Sequence, residues 1–510
     1  MKQGWIITGA VMLSAVLTPT LRAETGLNID IWHILMFGDE RAGYAHEVVT
    51  DDGEHIRTRV DMKITVRRGN MTINMKAVSE FLETSEGEAI EAVTTTLLGQ
   101  LEVKQTMRFK EDGVELVTQQ GASTNTQTFP PIEGEWQTPG EVHRMYEKVM
   151  EQNTQEFTIR SIEPTVGPEP MEMTLKRVGE ENVEVIGKVV PATVWEVHYA
   201  ALPNATMMTY VDAQGNPVKQ TVSLMPGMEL TMLLADEALA TAEVNPPELM
   251  ADTLVKPAAR SRPIADARAL RSAVYEVTLA PELKPDVLDL PKAGVQHVVW
   301  GDDRTVRVIV DLDQPVPPGT DLPGDEHLAA STALRHSDPV INELVERALG
   351  NNADQLGDAD KADKLRQFVR EFIEEKDLSV GFATASEVAR TAQGDCTEHA
   401  VLLAALLRAA GIPSRTVTGL IYVDEFLGQR DIFGYHMWAQ AFLDDGSGGR
   451  WVDLDATLPG EAFDAGHIAL GHSTMADDTL INNLVALAPL LGSLEIRIVE
   501  VNGAAAAPTP

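Results

Sequence analysis

Strict alternation of apolar and polar residues recurs through the first half of the chain, and it admits little besides antiparallel sheet. Val60, Met62, Ile64 and Val66 alternate with Arg59, Asp61, Lys63 and Thr65, and Leu101, Val103, Met107 and Phe109 alternate with Glu102, Lys104, Arg108 and Lys110. Successive side chains of a strand point to opposite faces, so this period marks strands with one buried face. Further strands are expected at 171–175, 193–199 and 205–211, the last running through the turn-forming Asp212-Ala213-Gln214-Gly215-Asn216-Pro217 into 218–222. The methionines that fall in the buried phase read as core filling rather than metal ligands. A short helix is expected over Pro139–Lys148, inserted between strands.

The 510 residues exceed one ordinary core, and 44% hydrophobic residues suffice for two to four folded domains. The fold class expected is multidomain α+β. A large antiparallel β domain covers 24–243, a proline-rich linker 244–268, a small β unit 269–320, an α+β domain 335–475, a helix and strand 476–503, and a disordered tail 504–510. In the α+β domain, Asp338 reads as an N-cap with Pro339 in the first helical position, followed by Ile341, Leu344, Val345 and Ala348 on one face. Leu365, Phe368, Val369 and Phe372 mark a second helix, and 385–390 a shorter one.

Lys2, an apolar run over 5–17 and Leu21-Arg22-Ala23 have the layout of a secretory signal peptide over 1–23, cleaved after Ala23. The run is shorter than the roughly 20 residues that span a bilayer, which disfavours an uncleaved anchor. The expected location is therefore periplasmic or extracellular, with no transmembrane segment once the signal is removed. The net charge is −36, and loss of Lys2 and Arg22 takes it to −38. Such a surface repels nucleic acid. Cys396 is the only cysteine, so no internal disulfide can form, and the residues around it favour a reactive thiol.

Those residues are Gly394-Asp395-Cys396-Thr397-Glu398-His399, at the mouth of an apolar helix over 400–407. Unpaired N–H groups and the helix dipole at that end favour a thiolate. His436, beside the strand Trp438–Phe442, is positioned as a base, and Asp455, after the strand Arg450–Leu454, as the carboxylate that orients it. Asp453 is a rival carboxylate on the same strand, Asp395 a third candidate or a helix cap, and His399 a structural or cleft-wall residue. His467 and His472 show no metal-binding spacing, and neither a metal nor a cofactor is expected. They belong to a stretch, 458–472, expected as a loop over the cleft. Leu480–Leu491 reads as a short helix and Leu494–Val499 as a final strand completing a sheet.

Gly394-Asp395-Cys396 followed by Leu406-Leu407-Arg408-Ala409-Ala410-Gly411-Ile412-Pro413-Ser414-Arg415 resembles the transglutaminase-like superfamily of papain-like folds, including its exported bacterial members, over roughly 335–475. The resemblance sets the family's nucleophile on Cys396, its histidine on His436 and its aspartate on Asp455, where Ala456 replaces a common proline. It implies a cysteine helix packed on a sheet that begins at Arg415, with Gln393 as a candidate for the oxyanion site and Trp438, Arg415 and Asp453 as possible cleft residues. The activity it implies is an exported cysteine-dependent peptidase or amidase working through a thioester on a protein or peptide, cell-envelope components included. The alternatives are a protein-glutamine transglutaminase, with an amine in place of water, or a catalytically dormant envelope binding or scaffold protein. Sequence leaves the oligomeric state open.

Overall fold

The computed structural model describes residues 28–505 except 69–70, 99–100, 121–122, 153, 201–205, 226–227, 249–253, 262–263, 282, 284, 303, 318, 320, 375–382, 427, 445, 447, 461–462, 477–489, 491 and 503. The expected signal sequence, the stretch 477–489 of the expected late helix, and 506–510 lie outside these. The chain divides into two units, Trp5–Glu248 and Leu249–Pro510.

In the first unit the alternating segments become fourteen antiparallel strands. The first eight are β1 Ile29–Phe37, β2 Glu40–Asp51, β3 His55–Arg68, β4 Met71–Thr84, β5 Ala89–Leu98, β6 Leu101–Lys110, β7 Gly113–Gln120 and β8 Ser123–Phe129. Helix α1, Pro139–Glu151, follows, and then β9 Glu156–Ser161, β10 Met171–Val185, β11 Lys188–Tyr199, β12 Thr206–Val211, β13 Pro217–Met225 and β14 Met228–Ala235. Each set of strands is a meander of sequential neighbours, and the two join where β1 pairs β14, Leu35 facing Met232. Met62, Met107, Met207 and Met232 are buried, as their phase required. Glu83 closes the start of α1 by accepting from the Gly140 N–H at 3.0 Å and the Thr138 hydroxyl at 2.8 Å. Burial raises its pKa, the bonds only partly offsetting that. On the helix's buried side His143 meets Glu47 at 3.2 Å, and Tyr146 packs edge-on against Phe157.

In the second unit a five-stranded sheet contains β15 Ser272–Leu279, β16 Gln296–Trp300, β17 Thr305–Asp311, and two late strands, Leu494–Val501 and Ala504–Ala505, in the order β16, β17, β15 and then the late pair. The last strand thus completes a sheet begun more than two hundred residues earlier. Two residues expected as disordered tail, Ala504 and Ala505, are paired with Val501 and Glu500. The proline-rich stretch expected as a linker is pinned as well: Val255 and Phe433 exchange both backbone bonds, at 2.8 and 2.9 Å, and Ala258 N–H reaches the Ile496 carbonyl at 2.8 Å.

Four helices, α3 Pro339–Leu349, α4 Asp358–Phe372, α5 Ala385–Thr391 and α6 Cys396–Ala409, surround and include the cysteine helix; the short α2 is Glu237–Ala240 in the first unit. Asp338 caps α3, accepting from Val340 N–H at 3.2 Å and from Arg390 at 2.6 Å. Replacing Asp338 with alanine is expected to lower stability by about 1 kcal/mol, the usual worth of a cap, read as a shift of the urea midpoint at unchanged slope. Helix α6 is apolar all round over Ala400–Leu407 and buried from Glu398 to Arg408, with Leu402, Leu403, Leu406 and Leu407 in one core with Ile341, Leu365, Val369, Val388, Ala439 and Ala441. A helix without a polar face can only be central. It lies against a four-stranded sheet formed by β18 Ser414–Phe426, β19 Gln429–Leu443, β20 Arg450–Leu454 and β21 His467–Ser473, in the order β20, β19, β18, β21; the late pair of the five-stranded sheet are then β22 and β23.

Candidate functional site

The mouth of α6 is built as its residue types require. Asp395 is the N-cap, accepting from Thr397 N–H at 2.8 Å, and Glu398 returns a carboxylate oxygen to the Asp395 N–H at 2.9 Å. The other oxygen of Glu398 accepts from Ala383 N–H at 2.9 Å. Complete burial, with Asp395 beside it, raises the Glu398 pKa well above the carboxylate range. Gly394 has φ +148°, and a Cβ there would stand 2.2 Å from that of Glu398, so no side chain fits. His399 is turned to its own helix, its Nδ1 2.6 Å from the Asp395 carbonyl. Asp395 is thus a cap rather than the orienting carboxylate.

On the sheet, His436 in β19 faces Gly419 of β18, which faces Ala469 of β21. A Cβ on Gly419 would come within 2.2 Å of the Ile468 carbonyl and 2.7 Å of the Trp438 ring; its absence leaves room for the rings gathered there. Asp455 follows the last residue of β20, and its Oδ1 accepts from the N–H and hydroxyl of Thr457, both at 2.7 Å. Its Oδ2 is then presented to two imidazoles: His436 Nε2 at 2.7 Å and His467 Nε2 at 3.2 Å. Asp464 holds His467 from behind, with Oδ1 3.2 Å and the backbone carbonyl 3.0 Å from Nδ1, and is itself paired with Arg268 at 2.8 Å. Trp438 and Phe463 wall the rings, their centroids 5.2 and 4.1 Å from that of His467.

The three central groups are almost sealed from water, His436 being 9% exposed, His467 1% and Asp455 0%. Burial drives His436 toward the neutral form, but the Asp455 carboxylate outweighs it, a smaller contribution of the same sign comes from a hydrogen bond and charge at the Cys396 side chain, and the pKa rises to about 10. Burial likewise opposes ionisation of Asp455, and the facing His436 and His467 nevertheless hold its pKa well below the carboxylate range. Burial lowers and the two aspartates raise the pKa of His467, the aspartates prevailing.

This arrangement corrects the expected thiol chemistry. The compact group is His436, Asp455 and His467, one donor atom from each lying within 4.8 Å of the others, and Cys396 is not a member of it. Cys396 is half-buried, and its side chain is hydrogen-bonded to His436. The carboxylate is shared between two rings instead of serving one. The readings as cysteine protease or amidase, as hydrolase or acyltransferase, and as a thiol-nucleophile catalytic triad are corrected on these grounds.

The remaining sequence candidates are placed as follows. Asp453 shares the face of Asp455, as the two-residue spacing implied, but is engaged by other groups: it accepts from Trp438 Nε1 at 2.8 Å, Gln440 Nε2 at 2.7 Å and Val295 N–H at 3.2 Å. Arg415 is buried in a two-pronged pair with Asp321 at 2.9 and 2.8 Å. Gln393 is half-buried, three residues before Cys396. His472 lies with His467 on β21, in a strand instead of the expected loop, and burial with Arg415 nearby lowers its pKa to about 4. His467 is the residue that sequence reasoning missed; its signal was the unbroken run His467-Ile468-Ala469-Leu470, buried throughout because β21 is covered on both faces.

No curated protein matches the chain. Among solved structures, a β-barrel-like protein of unknown function from Brucella abortus is similar at 11% identity and TM-score 0.32, covering 43% of this chain and 98% of that one. A candidate cysteine protease from Cytophaga hutchinsonii is similar at 16% identity and TM-score 0.24, covering 40% and 79%. A candidate protease from Parabacteroides distasonis is similar at 10% identity and TM-score 0.18, covering 72% and 69%. Scores this low do not establish a shared fold. The profile of the transglutaminase-like superfamily matches residues 343–456, which run from α3 through the cysteine helix to just past β20, and this region of the chain belongs to that superfamily.

Proposed function

We propose that this chain is an exported binding or scaffold protein, one that retains a transglutaminase-like region without its thiol chemistry and engages a protein or peptide partner of the cell envelope. The observation that carries the reading is the composition of the central group: two imidazoles sharing one buried carboxylate, with the only cysteine outside. A buried polar network whose members satisfy one another rigidifies the structure around it.

Export is supported by the leader-like layout of 1–23, and the net charge of −36 suits a protein kept in solution there. Among the described residues no helix is long and apolar enough to cross a membrane. A peptide partner is supported by β16, an edge strand that exposes Val299 and Trp300. Unpaired strand edges with large apolar side chains are suited to receiving an extended peptide as one more strand.

The test is mass spectrometry of the protein and its Cys396→Ala variant after incubation with a glutamine-containing peptide library, with and without a primary amine. Identical spectra are expected from the two proteins, with neither cleavage, deamidation nor gain of amine mass. Any product made by the parent and absent from the variant would overturn the binding reading.

A further inference from the structure

We propose that His436, His467 and Asp455 form a binding site for a divalent transition metal of the zinc class. The proposal goes beyond the binding reading and does not depend on it. Three features carry it. The donor atoms converge: Nε2 of each histidine points at Oδ2 of Asp455, at 2.7 and 3.2 Å. Donors around a tetrahedral zinc at about 2.0–2.2 Å lie roughly 3.3–3.5 Å apart. The His467 contact falls about 0.1 Å short of that spacing, and the His436 contact needs to open by about 0.6 Å to reach it.

The second feature is the support behind the ligands. Metal-binding histidines commonly donate their other ring N–H to a carboxylate or carbonyl, which fixes the ring and keeps the ligating nitrogen forward. His467 has both acceptors on Asp464, and Asp464 is held in turn by Gly466 N–H at 2.8 Å and by Arg268. Asp455 has its second oxygen occupied by Thr457, which leaves Oδ2 as a single-oxygen ligand. The third feature is the apolar wall of Trp438 and Phe463, which excludes water from the ligands, while the slight exposure of His436 marks the side of approach. Two imidazoles and a carboxylate are a common zinc donor set. On binding, the protons now shared with Asp455 leave to solvent and the ring lone pairs take the ion.

The test loads the full-length protein with zinc chloride, removes free metal by gel filtration and measures bound zinc by mass spectrometry. About one zinc per chain is expected, with loss of that equivalent in His467→Ala. Asp464→Asn leaves the ligands in place and is expected to weaken zinc affinity about 10-fold or more, as loss of such a supporting acceptor does. Cobalt provides a second readout that does not depend on the fold of any variant: the parent protein should develop the intense visible absorption of tetrahedral cobalt. A parent that retains no zinc and leaves cobalt with its aqueous spectrum overturns the proposal, and so does a folded His467→Ala that retains as much zinc as the parent. Zinc retention is read without any turnover, so its outcome is separate from that of the peptide assay.

Discussion

Replacing Asp455 with alanine is expected to destabilise the second unit by about 3–5 kcal/mol, the cost of stranding one partner of a buried charged pair. The carboxylate is wholly buried, faces two imidazoles and is locked by Thr457, so its loss leaves His436 without the carboxylate that offsets its desolvation and His467 with Asp464 alone. The effect should depend on pH in a defined way. Asp455 is held well below its ordinary value of 3.8, so its contribution is present above that value and is lost as the pH falls below it. His436 is held at about 10 against an ordinary value of 6.5, so its contribution is full below 6.5 and disappears as the pH rises toward 10. These are two views of one interaction, and its worth is greatest between the ordinary values of the two groups. Urea unfolding of parent and variant at about pH 5.5 and pH 9.5 should therefore show a difference that shrinks at the higher pH. A difference equal at both would mean that packing, rather than the ion pair, sets the cost.

Local periodicity made most elements legible. The alternation around Val60 and Leu101 became β3 and β6, Asp338 and Pro339 opened α3, and Asp395 opened the cysteine helix. What stayed out of reach was non-local. The pairing of β1 with β14, the bridge from Val255 to Phe433 and the joining of β22 to β15 are set by packing between distant segments, and no short-range signal encodes them. The site shows the same division. Residue types at plausible spacing identified His436 and Asp455 as neighbours, and adjacent strands bring them to 2.7 Å. They could not reveal that β21 would pair with β18 and deliver His467 to the same carboxylate, which changes what the group can do. The two-residue spacing put Asp453 and Asp455 on one face, but it could not say which groups each would meet: Asp455 takes His436 and His467, whereas Asp453 takes Trp438 and Gln440.

Arg415→Ala is expected to cost about 3 kcal/mol, although arginine is often tolerated at a protein surface, because this one is 1% exposed and carries a connected set of bonds. Its two terminal nitrogens hold both oxygens of Asp321, its Nε reaches Gln440 Oε1 at 2.8 Å, and its guanidinium lies 4.0 Å above the Trp451 ring. Gln440 continues through its own Nε2 to Asp453, which also holds Trp438, the wall of the histidine group. Removing the guanidinium leaves Gln440 Oε1 buried without its donor, while the partly exposed Asp321 can recover water, so the loss falls short of that for a fully buried pair. Lysine is a poor substitute, since a single ammonium cannot fork to Asp321, reach Gln440 and stack on Trp451 together. Arg415→Lys should therefore retain less than half of the stability lost in Arg415→Ala, with both measured by urea unfolding. An alanine variant within 0.5 kcal/mol of the parent, the range of ordinary surface changes, would show that Arg415 is not structural and would return it to consideration as a group that meets a ligand.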